Sequence, residues 1–282
     1  AYDEPFSDPS QIPTYMLCKF VKKKITVAIS GEGADELFGG YPRYKNIAIF
    51  WDKIKNQPDV LSELMELLSN RFSSSNYSHL RSIGKKFRKY SHTNLDSLYR
   101  DEMSRWRPDE KLLQKSFFKN SFFEKKIKDY DHIFSTFRFL MMRDIITYLP
   151  SNLLVKTDRA SMSNSLEIRS PFLDNDLVNL IWSLPDNFIS CKTEKVILKD
   201  ILKEKLGQNF VNRKKQGFEP PLYKWLNGSL NQWAKDLLFS SNSYFDQATI
   251  KKLILRFENG EKKLTYKIWT IIMFMAWKKR YC

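Results

Sequence analysis

Histidine and cysteine are scarce in this sequence, at three of each, and neither is clustered. Cys18, Cys191 and Cys282 lie far apart without CxxC spacing. The odd, scattered set excludes a disulfide framework and points to a reducing compartment. His79, His92 and His132 are equally dispersed, so no zinc-ligand pattern is present. Long apolar runs are missing too. The most apolar stretch, Ile268–Trp277 (IWTIIMFMAW), has ten residues, about half of what a membrane-spanning helix needs. It reads instead as a buried helix. No signal-peptide pattern, internal repeat or low-complexity tract is found, and a soluble, cytoplasmic protein with no membrane partner is expected. The dinucleotide fingerprint is incomplete as well: Gly31-Glu32-Gly33 is followed by Glu36 where a third glycine would stand.

What is present is positive charge and apolar mass. Lys plus Arg exceed Asp plus Glu by 47 − 32 = 15. That balance fits an anionic partner such as a nucleotide, nucleic acid or acidic membrane. Few of these charges form a compact arginine-rich block, so solvated, lysine-rich helix faces are the simpler explanation. Hydrophobic residues at 42% and aromatics at 15% argue for a folded protein with a sizeable core and against disorder. No linker is long enough to force a domain boundary, so one unit spanning 1–282 is expected.

Ser7 and Asp8 before Pro9 predict a helix start. Apolar Ile12, Tyr15, Met16 and Phe20 continue that helix, and Lys22-Lys23-Lys24 closes it. ITVAIS, beginning at Ile25, is a β-branched run stopped by Gly31 and predicts a buried strand. A second helix is expected after Gly33. Between Lys45 and Thr147 no further strand is evident. Asp59–Asn70 and Phe134–Tyr148 have helical periodicity, and the basic stretch Ser73–His92 reads as a loop with short helices. Asn175–Ser183 and Thr193–Lys205 are expected as helices, the latter stopped by Gly207, and the tail from Asp246 to Trp277 as helical. With one evident strand, the chain is predicted to be mostly helical, its strand needing neighbours from sequence before Ala1.

The loop after that strand, SGEGADE from Ser30, holds two glycines and three carboxylates. Gly31 and Gly33 would let backbone N–H groups approach an anion, with a helix N-terminus behind them favouring phosphate. Carboxylates there would repel phosphate unless a divalent cation lay between. Asp35 is therefore a candidate Mg²⁺ ligand, and Glu32 a candidate general base. The alternative is that Asp35 and Glu36 only complement a new helix dipole, and on the loop alone the two weigh equally. In DRASMSNSLEIRSPFLD (Asp158–Asp174), Glu167 and Arg169 flank Ile168 and could point the same way; a structural ion pair is the simpler account. Lys195, in EKVILK on an expected helix, could hold pyrophosphate, although one lysine among many is weak support by itself. RKKQGFEPPLYKWL, with Lys215, Gly217 and Pro221, reads as a shaped structural loop.

Together these segments resemble, in order, the synthetase domain of the glutamine-hydrolysing asparagine synthetase family. The matching pieces are DEPFSDPSQIPTY, SGEGADELFGGYPRY, YLPSNLLVKTDRASMSNSLEIRSPFLD, EKVILK and KQGFEPPLYKWLNGSL. The resemblance spans Asp3 to about Leu230, and the middle, about Lys45 to Tyr130, shares only helical character. It implies an α/β nucleotide-binding fold of the ATP-pyrophosphatase (adenine nucleotide α-hydrolase-like) type, here predominantly α-helical. It also implies ATP and Mg²⁺ as cofactors, with aspartate as the acid activated to an acyl-adenylate. Ammonia then displaces AMP. By the same resemblance, Ser30, Gly31 and Gly33 would contact ATP, and Asp35 would bind Mg²⁺. Glu32 would assist proton removal as ammonia adds, and Lys195 would steady pyrophosphate. Glu167, Arg169 and Asp174 match a motif that shapes the site.

Two features of the family are absent from the sequence: an N-terminal glutaminase domain with a cysteine nucleophile at position one, and a Ser-Gly-Gly-x-Asp-Ser phosphate loop. The chain is accordingly expected to be the carboxyl-terminal portion of a synthetase domain, inactive alone. In the full-length form, ammonia would come from glutamine, and a homodimer is compatible with the family. Amidotransferases acting on other carboxylates, in the cell envelope or on sugars, share these motifs. An RNA-modifying or RNA-binding protein would explain the charge but not the motif series, and no basic–aromatic RNA platform is present. A non-catalytic interaction module descended from the synthetase is the third alternative, against which the intact Ser30, Gly31, Glu32, Asp35 and Lys195 speak.

Overall fold

A computed structural model describes residues 1–73, 75, 77–106, 110, 112–113, 134–189, 194–211, 217–240 and 244–282. Cys191, His132, Thr193 and Lys215 lie outside the described residues. The elements in chain order begin with α1 (Gln11–Val21), β1 (Val27–Ile29), α2 (Ala34–Leu37) and α3 (Pro42–Ile54). Next come α4 (Asp59–Ser73), α5 (Ser78–Tyr90), α6 (Leu95–Met103) and α7 (Thr136–Arg143). A π-helical stretch, Asp144–Leu154, runs without a break into α8 (Val155–Met162), followed by β2 (Glu167–Arg169) and α9 (Asn175–Ser183). The chain continues through α10 (Val196–Leu206), α11 (Gln208–Val211), α12 (Leu222–Leu226) and α13 (Asn231–Leu238), and closes with α14 (Gln247–Glu258) and α15 (Thr265–Tyr281). The fold is mostly helical with a small sheet, and no helix among the described residues is long and apolar enough to cross a membrane.

β1 does find a neighbour inside the chain. It pairs in parallel with β2, Val27 opposite Glu167 and Ile29 opposite Arg169. Local pattern hides β2 because two of its three residues are charged and stand on the exposed face, as expected for a strand covered on one side only. Ala28 and Ile168 point the other way, onto a small core of Cys18, Ala160 and Leu166 between α1 and α8. The expected burial of β1 is thus half right, since Val27 and Ile29 are exposed. α1 is also rotated from expectation. Tyr15, Cys18 and Val21 face the sheet, while Met16 and Phe20 are exposed. Asp8 shapes the approach to α1, accepting from the Ser10 N–H at 2.9 Å and hydroxyl at 2.7 Å.

Ser73–His92 is not a loop but largely the single helix α5, laid against α4. Gly84 makes the contact possible, because a Cβ there would meet Ser73 Oγ at 2.7 Å, and Phe87 stacks on Phe72 with centroids 5.8 Å apart. The tail is helical as expected, in two helices. Gly260, at φ 91°, turns the chain between α14 and α15. The apolar run in α15 is buried as its composition predicts, with Ile268, Trp269, Ile271, Ile272 and Met275 in a core shared with α12, α13 and α14. A separate core under the SGEGADE loop joins Leu37, Tyr44, Leu98, Leu140 and Met141.

Glu261, in the turn after α14, accepts from Arg256 at 2.6 and 3.1 Å and from Arg81 of α5 at 3.2 Å. The Arg256 hydrogen bonds hold its carboxyl below the ordinary value of 4.5. The ionised form is therefore favoured by folding. Its stabilisation is full above that ordinary value and is lost as pH falls through the lowered one. Glu261→Gln should cost up to about 1 kcal/mol at pH 7, and urea unfolding of variant and parent should converge on acidification.

Candidate active site

β1 hands the chain to the acidic loop with its ladder still paired: the Ser30 N–H donates to the Arg169 carbonyl at 2.8 Å. Ser30 Oγ lies 3.0 Å from Ser170 Oγ and accepts from the Glu32 N–H at 3.3 Å. The two glycines serve different ends. Gly33 has φ 90°, and a Cβ on it would sit 2.3 Å from Leu173 Cδ2, so both conformation and packing demand glycine. Nothing lies within 4 Å of the corresponding position on Gly31, which faces open space. The helix behind the loop, α2, is a single turn. The helix dipole expected to favour phosphate is correspondingly slight, because aligned peptide dipoles accumulate with length.

The carboxylates separate by environment. Asp35 pairs with Lys195, Oδ1 to Nζ 3.1 Å, and each side chain keeps about a quarter of its surface exposed. Lys195 is not inside a helix as expected. It immediately precedes α10 in the left-handed region, at φ 53° and ψ 44°, a conformation that costs a non-glycine residue on the order of 1 kcal/mol. Gly40 closes the arrangement from behind: its N–H donates to the Asp35 carbonyl at 2.7 Å. A Cβ on Gly40 would fall 2.1 Å from Asp35 Oδ1 and 2.3 Å from Lys195 Cε. Gly40→Ala should lower stability by about 1–3 kcal/mol, read as a shifted urea midpoint at unchanged m. Adding Lys195→Ala should recover part of that loss by removing one of the two clashes.

Glu32 faces α8. Its Oε1 accepts the Thr157 hydroxyl at 2.8 Å and lies 3.9 Å from Lys156 Nζ. Glu36 turns inward, 1% exposed, and accepts from the Tyr41 hydroxyl at 2.7 Å. Burial raises both the Glu36 carboxyl and the Tyr41 phenol above their ordinary values, so Glu36 braces the loop while Glu32 and Asp35 remain accessible. Beneath α3, Asp144 is fully buried and accepts from Arg43, Tyr44 and Tyr99. Arg143 pairs with Asp96 at 2.6 Å, and Arg100 with the same carboxylate at 3.0 Å. Pro150 sits within the π-helical stretch that supplies Asp144, a wide winding that accommodates a residue without an N–H.

The predicted residues thus fall into two groups. Ser30, Gly31, Glu32, Gly33 and Asp35 share one loop, and Lys195 reaches it from far along the chain. Glu167 and Arg169 instead pair with each other at 2.7 Å on the exposed face of β2, the simpler of the two accounts above. Asp174 caps α9, accepting from the Asp176 and Leu177 N–H groups. Lys156, Thr157 and Gly40 were not singled out from the sequence. The glycine pair Gly39-Gly40 following an acidic turn was the available signal, and for Thr157 there was none beyond helical spacing from Ala160. A cavity of about 590 Å³ lies elsewhere, bordered by Tyr99, Arg143, Tyr148 and Asn152, and includes none of the predicted residues.

Among the described residues no group of three or more His, Cys, Asp or Glu could hold a metal. One carboxylate such as Asp35, about a quarter exposed, would be enough for Mg²⁺ held jointly with phosphate oxygens and water, the usual mode for that ion.

Comparison with known proteins identifies the family. The sequence profile of the family described as asparagine synthase matches residues 1–279. Asparagine synthetase [glutamine-hydrolyzing] 1 of Bacillus subtilis (strain 168) is 28% identical over 308 residues, covering 99% of this chain and 45% of its own length. Asparagine synthetase [glutamine-hydrolyzing] 3 of the same organism is 26% identical over 227 residues, covering 80% of this chain and 31% of its own. The chain spans less than half the length of these relatives, and it belongs to the asparagine synthase family.

Proposed function

We propose that this chain supplies part of the amide-forming site of an ATP-dependent asparagine synthetase, on an ATP-pyrophosphatase-type fold. The observation that carries it is the open loop at the end of β1, where Asp35 meets Lys195 beside Glu32. In this reading an oxygen of the aspartate side-chain carboxylate attacks the α-phosphorus of ATP, and the bond to pyrophosphate breaks. Ammonia, derived from glutamine, then attacks the acyl carbon, and the bond to AMP breaks. Mg²⁺ bound at Asp35 would neutralise phosphate charge. Gly31, open on its outer side, admits the phosphates to the backbone. Lys195 adds a point charge toward the departing pyrophosphate, and its left-handed backbone fixes where that charge stands. Glu32 takes the proton that the attacking nitrogen must lose.

The test is ATP–pyrophosphate exchange by the full-length protein, with aspartate and with a panel of other small carboxylic acids. Exchange that requires aspartate and Mg²⁺, followed by asparagine formation with ammonia, is the expected result. Exchange that ignores aspartate but answers to another acid overturns the choice of substrate.

A further inference from the structure

Thr157 sits on α8 with only 6% of its surface exposed, so its hydroxyl requires a partner. Helical threonines commonly bond back to their own helix, to the carbonyl a turn earlier. Here the hydroxyl instead crosses 125 positions of sequence to Glu32 Oε1 at 2.8 Å. Lys156, the preceding residue, brings its ammonium to 3.9 Å from the same oxygen with its own side chain 12% exposed. That turn of α8 is anchored in turn. The Lys156 carbonyl accepts the Tyr2 hydroxyl at 3.0 Å, and Tyr2 stacks on Phe6 with centroids 4.9 Å apart. Among the described residues no donor reaches the second carboxylate oxygen, Oε2.

We propose that Thr157 is a positioning residue for Glu32: it engages Oε1 and leaves Oε2 as the oxygen that receives the proton from the attacking nitrogen. This rests on the amide-forming role argued above. The chemistry of the carboxyl group supports the assignment. An ionised carboxylate only accepts, so the hydroxyl proton must lie on the Thr157 side of the contact. Once Oε2 is protonated, Oε1 is a carbonyl-like oxygen and still accepts from Thr157. The contact survives both protonation states, and Glu32 need not turn during proton transfer. Threonine in a helix divides between two χ1 rotamers, and here the hydroxyl is turned to Glu32. Lys156 supplies charge at the same oxygen but, at 3.9 Å, no close hydrogen bond.

Thr157→Val keeps shape and removes the hydroxyl, and Thr157→Ser restores it. Both would be made in the full-length protein and assayed with ammonia as nitrogen source, beside thermal melts. Thr157→Val should keep aspartate-dependent ATP–pyrophosphate exchange within about twofold of the parent. Its kcat for amide formation should fall about tenfold, with the ammonia KM nearly unchanged. Thr157→Ser should recover amide formation to within about threefold. Amide formation by Thr157→Val at the parent rate overturns the proposal. So does an equal loss of exchange and amide formation that serine fails to restore, which marks a packing role. Absence of both activities in the unmutated protein overturns the functional reading, and this inference with it.

Discussion

Glu32→Gln should abolish amide formation while leaving the fold and the ATP–pyrophosphate exchange in place. Glutamine has the same shape and retains a carbonyl oxygen to accept the Thr157 hydroxyl. Its second position is an NH₂ group that cannot take a proton. If Glu32 accepts the proton from the attacking nitrogen, the second half of the reaction should fall by about 10²–10⁴. On the proposed reading the first half would depend on Asp35 and Lys195 instead, and should persist. Stability should change by less than about 1 kcal/mol, because the side chain is partly exposed and its ion-pair distance to Lys156 is long. The measurements are asparagine yield with ammonia, exchange rate and melting temperature on the same preparation. Near-normal amide formation removes Glu32 as the base.

Asp144→Asn should have the largest effect on stability, with a loss of about 3–5 kcal/mol. Asp144 is 0% exposed and receives three donors, from Arg43, Tyr44 and Tyr99. Asparagine has one acceptor oxygen, and its NH₂ would confront a donor. The Arg43 charge, three-quarters buried, would lose its counter-ion. Burial and the neighbouring carboxylate both raise the phenol of Tyr44, which therefore stays a donor. For a chain of this size the loss corresponds to a melting temperature lower by about 10 °C. A fall of under about 2 °C would show that the cluster relaxes without Asp144. The cluster lies beneath α3, which follows Glu36 of α2 and the turn carrying Gly40 and Tyr41, so loss of exchange activity should accompany the instability and recover on cooling.

These two residues differ in how visible they were. Glu32 could be picked out because a loop with Gly31, Gly33 and three acids is unusual over so short a span. Asp144 could not, since nothing around it separates a buried aspartate from a helix-surface one. β2 was missed for a related reason: a three-residue strand with charges at both ends has no apolar alternation to detect, and its pairing to β1 supplies what the pattern lacks. The basic stretch around α5 was misread because its apolar positions are few, and α4 provides the surface that makes them a helix face. Lys195 illustrates the same limit at the site itself. Its side chain is one of many alike, and only chain closure brings it to Asp35.

The sequence by itself determined the local matters: α1, α4, α9 and the buried run in α15, the turn at Gly33, and the family to which the chain belongs. Near-neighbour sterics and helical periodicity govern the elements and the turn, acting within a few residues, and the order of the motifs along the chain marks the family. The tertiary structure alone decided the partner of β1, the pairing of Asp35 with Lys195, the hold of Thr157 on Glu32 and the burial of Asp144. Each is a contact between segments distant in sequence. The selecting energies are desolvation and hydrogen bonding of polar groups removed from water, and they exist only after those segments have packed together.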